Sequence, residues 1–250
     1  MMYGIHPMSK FIALWMVLSL LLAGCLGPPT QPALPAALSP SLTATQPSLS
    51  PTLTATVVPP PTETMAPTPT PEPYGCQKPF EDYTRVEVNG STLNQRTLSM
   101  LAHAQELYGG ELELTSHAVT QGSYSNAVSA SFGTHGGGGA VDLSVLSPGT
   151  YTVLWDDIDS LLHALRVAGF AAWLREYGEL YPDSPIHIHA IAIGDRELSQ
   201  AAQEQLTGAA GYFRGYSGLP VPENDAPTPD RYGGPILCQW MIDLGYQDLR

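Results

Sequence analysis

The segment 185–195, PIHIHAIAIGD, places the strongest constraint on how this chain folds. Residues 186–193 are apolar apart from two histidines, which predicts a central strand buried on both faces. Side chains two residues apart in a strand point to the same face, so His187 and His189 lie side by side. Two buried imidazoles are costly unless something satisfies their polar atoms. The strand therefore predicts an interior metal site or, alternatively, a set of polar groups beside the histidines.

A second segment, SFGTHGGGGAVDLSV at 131–145, supplies groups that suit such a site. His135 precedes four glycines, which permit a close approach of backbone or substrate. Asp142 lies in the apolar run 140–145, where a carboxylate needs a cation or several hydrogen-bond donors. Two histidines and one carboxylate make a three-ligand zinc site with one position open for water. We therefore predict that folding joins both segments around one zinc ion, as in a secreted metallohydrolase.

The first 24 residues predict a lipoprotein signal peptide. The apolar run 11–23 follows Lys10; it has the length of a signal-peptide core and is too short to span a membrane as a helix. It ends in Leu-Ala-Gly before Cys25, which resembles the bacterial lipobox, where the cysteine is lipidated and begins the mature protein. A plain signal peptide is the alternative. We expect an extracytoplasmic protein that its lipid anchors to a membrane of the cell envelope.

Residues 25–73 predict a disordered tether behind the lipidated cysteine. The stretch 26–73 holds 14 of the chain's 24 prolines and many serines and threonines, and only Glu63 and Glu72 are charged. Such a segment buries too little apolar surface to offset the entropy of ordering it. We expect an extended connection that carries the following domain away from the membrane.

Residues 74–250 have the size of one domain with one core. This part carries 9 Lys and Arg against 21 Asp and Glu, a net charge near −12, so it lacks the clustered cations of nucleic-acid binding. Helical and strand patterns alternate at uneven spacing, which indicates an α+β fold, and we expect a monomer. The patterns predict helices at 94–108, 156–167 and 199–206, strands at 111–120, 140–145, 170–173 and 186–193, and an irregular loop at 211–235.

The predicted domain has two cysteines, Cys76 and Cys238, near its two ends. In an oxidising extracytoplasmic compartment they are expected to pair and join the first segment of the domain to the last. Two free thiols are the alternative.

The residues His135, Gly138, Ala140 and Asp142 form the pattern HxxGxAxD, and an HxH follows about 45 residues later. Together they resemble the zinc D-Ala-D-Ala carboxypeptidase family, which shares its fold with the hedgehog amino-terminal domain. The resemblance covers residues 94–195. It implies a single α+β domain with a central antiparallel sheet and flanking helices.

The resemblance also implies roles for individual residues. His135, Asp142 and His189 correspond to the zinc ligands, and His187 lies beside the metal, where it could stabilise an oxyanion or move a proton. Members of the family cleave peptide bonds in the stem peptides of peptidoglycan. The implied function is therefore zinc-dependent hydrolysis of a cell-wall peptide.

The general base departs from the family pattern. Many members carry an acid three residues before the last histidine ligand, and this chain has Ile186 there. Asp183 is the first substitute, because it lies just before the histidine strand. Glu176, Glu179 and His187 are further candidates that spacing leaves open.

The substrate anchor departs as well. The family usually has an arginine ahead of the first motif, whereas residues 120–126, TQGSYSN, have none, and Gly133 replaces a serine. Gln121, Ser123 and Tyr124 could hydrogen-bond a substrate without supplying charge. If His187 rather than His189 is the ligand, or if both bind, the open position shrinks and a structural zinc is favoured. The alternative function is thus a catalytically weak or inactive zinc-containing module that binds the cell wall.

Overall fold

The structure, a computed structural model, describes residues 71–250, which belong to one compact unit. The signal peptide predicted at 1–24, the lipidated Cys25 and nearly all of the tether predicted at 25–73 lie outside the described residues and stay predictions. Among the helices between residues 71 and 250, none is both long enough and apolar enough to cross a membrane.

The described chain is an α+β structure with antiparallel sheets, as the sequence predicts. Its regular elements, in chain order, are β1 (Arg85–Val88), β2 (Ser91–Asn94), α1 (Gln95–Tyr108), β3 (Val119–Gln121), β4 (Ala140–Leu143), α2 (Ile158–Val167), β5 (Phe170–Arg175), β6 (His187–Ala192), α3 (Gln200–Thr207) and α4 (Gln239–Asp243). Short 3-10 turns at Thr134–Gly136 and Tyr212–Arg214 are among the connections.

The central sheet has four antiparallel strands in the order β3-β4-β6-β5. The pairing of β4 with β6 sets Asp142 opposite His189. The pairing of β5 with β6 sets Trp173 opposite the same histidine and Arg175 opposite His187. Directly paired residues point to the same face of a sheet. One face therefore carries all five of these side chains, and we call it the site face.

The opposite face of the sheet is entirely apolar and packs against α1 and α2. Burial of these side chains supplies the main hydrophobic stabilisation of the domain. Its strand residues are Val141, Leu143, Phe170, Ala172, Leu174, Ile188, Ala190 and Ala192. The site face is apolar at one end only, where Ala140, Ala171, Ile191 and Ile193 pack against α3 and the C-terminal segment. Each strand thus contributes alternate residues to the core and to the site.

The helix predicted at 94–108 is confirmed. The side chain of Asn94 accepts a hydrogen bond from the backbone N–H of Thr97 and caps the first turn. The last turn ends at Gly109, whose φ of 63° is left-handed, the conformation that glycine adopts most easily. The helices at 156–167 and 199–206 are confirmed as well, and the Ser199 side chain caps α3 by accepting from the Ala202 N–H.

The strand predicted at 111–120 is wrong except for its last two residues. Residues 114–118 form turns, in which the N–H groups of Ser116 and Ala118 both donate to the Glu113 carbonyl. Leu112 and Leu114 are buried, so the alternation that suggested a strand is real. It arises because a turn also directs alternate side chains inward here.

The loop predicted at 211–235 is irregular, with the short turn Tyr212–Arg214 near its start. The hairpin of β1 and β2 was not predicted. Its loop is Asn89-Gly90, with φ of 48° and 74°, the two positive values that a two-residue hairpin loop requires.

Cys76 and Cys238 form a disulfide, with 5.6 Å between their Cα atoms and 162 residues between them in sequence. The bond joins the segment before β1 to the residue that precedes α4. The prediction of this pair is confirmed.

We predict that replacing both cysteines, Cys76→Ser with Cys238→Ser, lowers the free energy of unfolding by about 2–4 kcal/mol, because the bond restricts a very long loop in the unfolded chain. Urea unfolding of the metal-free protein, oxidised against the double variant, measures this difference. Equal unfolding free energies would contradict a stabilising role for the bond.

Candidate metal centre

Three elements of the fold hold the candidate ligands. His135 lies on the 3-10 turn before β4, while Asp142 and His189 lie on the paired strands β4 and β6. All three residues are buried. Their position follows from the sheet register together with the glycine run that leads from the turn into β4.

The glycine run brings this turn close to the residues that precede α3. A Cβ on Gly137 would lie 2.3 Å from the Glu197 carbonyl oxygen and 2.4 Å from the Ser199 nitrogen. A Cβ on Gly138 would lie 2.8 Å from the Tyr124 Oη. Backbone atoms cannot yield at such distances, so a side chain at Gly137 would move the turn that carries His135.

The candidate ligand atoms lie within hydrogen-bond range of one another. His189 Nδ1 is 2.7 Å from Asp142 Oδ1, His135 Nε2 is 3.2 Å from the same oxygen, and the two ring nitrogens are 3.3 Å apart. In the described part of the chain, these three residues form a buried group that could hold a metal ion. The sequence prediction of His135, Asp142 and His189 as one cluster is thus matched by their placement.

The hydrogen bonds outside the cluster fix which ring nitrogens carry protons. His135 Nδ1 lies 2.7 Å from the Gly122 carbonyl oxygen, and His189 Nε2 lies 3.1 Å from Gln205 Oε1. Both partners can only accept, so each of these nitrogens carries a hydrogen. In the neutral rings the inward nitrogens, His135 Nε2 and His189 Nδ1, therefore bear lone pairs.

Three lone-pair atoms thus converge with no hydrogen between them when both rings are neutral. This arrangement is unfavourable unless a cation, either a proton or a metal, lies among them. Metal-bound histidines characteristically donate their other N–H to a carbonyl or carboxylate, as both rings do here. Tetrahedral zinc would separate its ligand atoms by about 3.4 Å, close to the two longer separations. The residues therefore fit zinc.

The pKa values of the cluster reflect two opposing effects, burial and the contacts between the histidines and Asp142. Burial opposes ionisation of Asp142. When His135 or His189 is protonated, however, its inward N–H donates to the carboxylate, and this outweighs burial and holds the pKa of the Asp142 carboxyl well below its ordinary value. Burial lowers the pKa of His189 to about 4, so this ring is neutral near pH 7. Burial also acts to lower the pKa of His135, but the Asp142 carboxylate together with the Gly122 carbonyl outweighs it, so the pKa of His135 is raised. A single proton bound by the cluster therefore resides on His135.

His187 lies beside the cluster rather than in it. Its Nδ1 donates to the Pro185 carbonyl oxygen at 2.8 Å, which leaves a lone pair on Nε2 in the neutral ring. That nitrogen is 3.9 Å from Asp142 Oδ2, the oxygen that faces away from the other two ligands. The ring is thus available for proton transfer next to the site.

The other predicted bases lie further from the cluster. Asp183 is on an exposed turn and accepts a hydrogen bond of 2.9 Å from Tyr177 Oη. Glu176 pairs with Arg231 at 2.5 Å, and the Glu179 carboxylate lies 3.8 Å from Arg175. None of the three acids lines the two cavities beside the cluster, whereas His187 lines both.

Of the three predicted substrate-binding residues, Gln121 alone lines a cavity beside the cluster, and its Nε2 donates to Ser131 Oγ at 2.9 Å. Ser123 is buried and donates to the Ala140 carbonyl oxygen at 2.8 Å. Tyr124 points away and donates to Glu197. The last two therefore brace the glycine turn, and their assignment to substrate binding finds no support in their contacts.

Two cavities adjoin the cluster. The larger, of about 270 Å³, has room for part of a peptide and lies on the side of His187 that faces β3. Its walls are mostly apolar and hydroxyl groups, including Leu146, Ser184 and Ile186. The smaller, of about 20 Å³, reaches all three candidate ligands and has room for about one water.

Two residues near the cluster were missed by sequence reasoning. Gln205 orients His189 from α3, and Arg175 lines the smaller cavity from the end of β5. The predicted strand at 170–173 stopped before Arg175. The available signal for Gln205 was its place on the same helical face as Ala202 and Leu206.

Comparisons of the chain with protein-family models, with curated proteins and with solved structures find no match in any of the three.

We predict that the purified chain binds one zinc ion. His135→Ala or Asp142→Ala should lower the zinc affinity at least about a hundredfold, because each removes one of the three ligands. Isothermal titration measures the affinity. His163→Ala, at an exposed position on α2, is the matched control. Full zinc affinity in Asp142→Ala would contradict this ligand set.

We further predict that zinc affinity falls as the pH decreases through the raised pKa of His135, because zinc must displace the proton held there. Above that pKa the ring is neutral and affinity is highest; below it the expected loss is about tenfold per pH unit. Titrations between pH 5.5 and 8 test this. A constant affinity across that range would contradict the proton competition.

Proposed function

We propose that this protein is a zinc peptidase that hydrolyses a peptide bond in the stem peptides of peptidoglycan, as a D-Ala-D-Ala carboxypeptidase does. The observation that carries the proposal is the convergence of three lone-pair atoms beside a cavity of about 270 Å³. A three-ligand zinc site with an adjoining cavity is the arrangement of catalytic zinc, whereas structural zinc has four protein ligands.

The fold supports the proposal at a coarser level. An antiparallel central sheet with the ligands on one face and helices on the other is compatible with the hedgehog and D-Ala-D-Ala carboxypeptidase fold. We propose that the domain belongs to that fold. We also propose that its lipid and tether position it outside a membrane, where peptidoglycan is the available substrate.

Zinc bound at this centre would polarise a peptide carbonyl and lower the pKa of a water molecule towards 7. The chain supplies the proton transfer. His187 Nε2 bears a free lone pair on the open side of Asp142, so it would take the proton from the attacking water and return it to the leaving amine. The Gly122 carbonyl and Gln205 keep the two ligand rings oriented during the reaction.

The larger cavity would hold the peptide next to the centre. Its walls offer Gln121 and the Ser144 and Ser184 hydroxyls for hydrogen bonds, among apolar side chains. In the described residues that line it, Asp142 and His187 are the only acidic or basic side chains. Such a wall suits small, uncharged residues of a peptide.

A zinc-containing module that binds the cell wall without cleaving it is the second candidate. The observation that favours it is the lack, among the described residues that line the two cavities, of a carboxylate other than the ligand Asp142. Zinc peptidases commonly use such a carboxylate as the base. In this case the same cavity would bind a stem peptide and release it unchanged.

We predict that the zinc-loaded chain releases D-alanine or a shorter peptide from stem peptides, and that His187→Ala lowers kcat by about 10²–10⁴ while zinc is retained. Product release by chromatography and zinc content by mass spectrometry are measured together. His163→Ala is the control with unchanged kcat.

The kcat of Asp183→Asn is measured in the same assay as that of His187→Ala. A loss of kcat in this variant, with none in His187→Ala, would transfer the role of base to Asp183. Zinc-loaded protein that binds sacculi, releases no product and is unaffected by His187→Ala would contradict the peptidase and favour the wall-binding module.

A further inference from the structure

Arg175 is a buried cation next to the metal centre. It is the last residue of β5, pairs with His187 across the sheet, and projects from the site face. Only 2% of its surface is exposed. Among the described residues around the smaller cavity, it is the only lysine or arginine, and it shares that cavity with all three candidate ligands.

The guanidinium of Arg175 has few partners inside the protein. Its Nη2 donates to the Ser217 carbonyl oxygen at 2.9 Å, and its plane lies near the Trp173 ring, 5.3 Å from the centroid. The nearest acid, Glu179, is 3.8 Å from Nη1, beyond hydrogen-bond distance. A guanidinium has five donors, so most of them lack a close protein acceptor.

The charge of Arg175 persists at neutral pH. Burial lowers its pKa to about 10, which still leaves the group protonated. Zinc with one carboxylate ligand would add a further net positive charge to the same cavity. Glu179 is the only side chain in ion-pair range of Arg175, so the described residues leave the centre short of negative charge.

Arg175 lines a second space as well. This is a groove of about 490 Å³, which is also lined by Trp173, Glu176 and Tyr232 among others. A ligand that extends from the metal centre into this groove passes the guanidinium. The fork of two N–H groups is the geometry that binds a carboxylate with two hydrogen bonds.

We propose that Arg175 binds the terminal carboxylate of a peptide whose last bond lies at the metal centre. The site would then take peptides with a free C-terminus and act as a carboxypeptidase rather than an endopeptidase. This inference rests on the proposed peptidase function for the bond that is cleaved, but the binding of the carboxylate does not depend on cleavage.

The test is a titration of the metal-free chain, followed by NMR, with N-acetyl-D-alanyl-D-alanine and with its C-terminal amide. The two probes differ only in the negative charge, and without metal neither is hydrolysed. We expect the acid to bind at least about tenfold more tightly than the amide. In Arg175→Gln the two affinities should agree within about twofold.

The matched control is Arg231→Gln. Arg231 lines the same groove, pairs with Glu176 and is exposed, so its loss should leave the preference for the acid unchanged. Glu179→Gln keeps Arg175 intact and removes its nearest counter-ion, so it should strengthen the preference. That variant tests the proposal even if Arg175→Gln fails to fold.

Equal affinities of acid and amide for the unmodified chain would overturn the proposal, as would an undiminished preference in folded Arg175→Gln. The zinc-loaded chain separates this result from the peptidase itself. Cleavage of acid and amide at equal rates would leave the peptidase standing and remove the role of Arg175. A preference for the acid without any cleavage would support the role of Arg175 and contradict the peptidase.

Discussion

The structure depends on the need to satisfy three lone pairs in its interior. His135 Nε2, His189 Nδ1 and Asp142 Oδ1 face one another because their outer hydrogen bonds are already fixed, two of them by Gly122 and Gln205. A proton can occupy the space at low pH, but near neutrality burial disfavours it on His189. A divalent cation would satisfy all three atoms together. The residues around the cluster hold these atoms in the orientation that such a cation needs.

Within single strands of the central sheet, alternate residues either stabilise the core or form the candidate site. In β6, Ile188 and Ala190 enter the core with α1 and α2, while His187 and His189 face the site. A shift of β6 by one residue would exchange the two sets and bury both histidines in the core. The apolar face therefore fixes the positions of the ligands, and the rigid pairing of β4 with β6 sets Asp142 against His189.

The features that a local sequence pattern encodes could be predicted from the sequence, whereas the features that depend on contacts between distant segments could not. The strand β6 and the cluster were predictable because buried imidazoles in an apolar strand need a partner wherever they lie. The loop Asn89-Gly90 is also encoded locally, because this dipeptide favours the two positive φ angles of a two-residue hairpin loop. By contrast, the roles of Tyr124 and Ser123 depend on the packing of the glycine turn, and the proximity of Arg175 to the ligands depends on strand register. Neither is visible in spacing alone.

The most direct test of the metal centre is X-ray absorption at the zinc edge on the zinc-loaded chain. Two imidazoles, one carboxylate and one water predict about four nitrogen and oxygen neighbours at about 2.0–2.2 Å, with the scattering of two histidine rings. Asp142→Ala should remove the bound zinc, and His187→Ala should leave the spectrum unchanged. Six-fold coordination, a sulfur neighbour at about 2.3 Å, or loss of a ring in His187→Ala would contradict the three-ligand site.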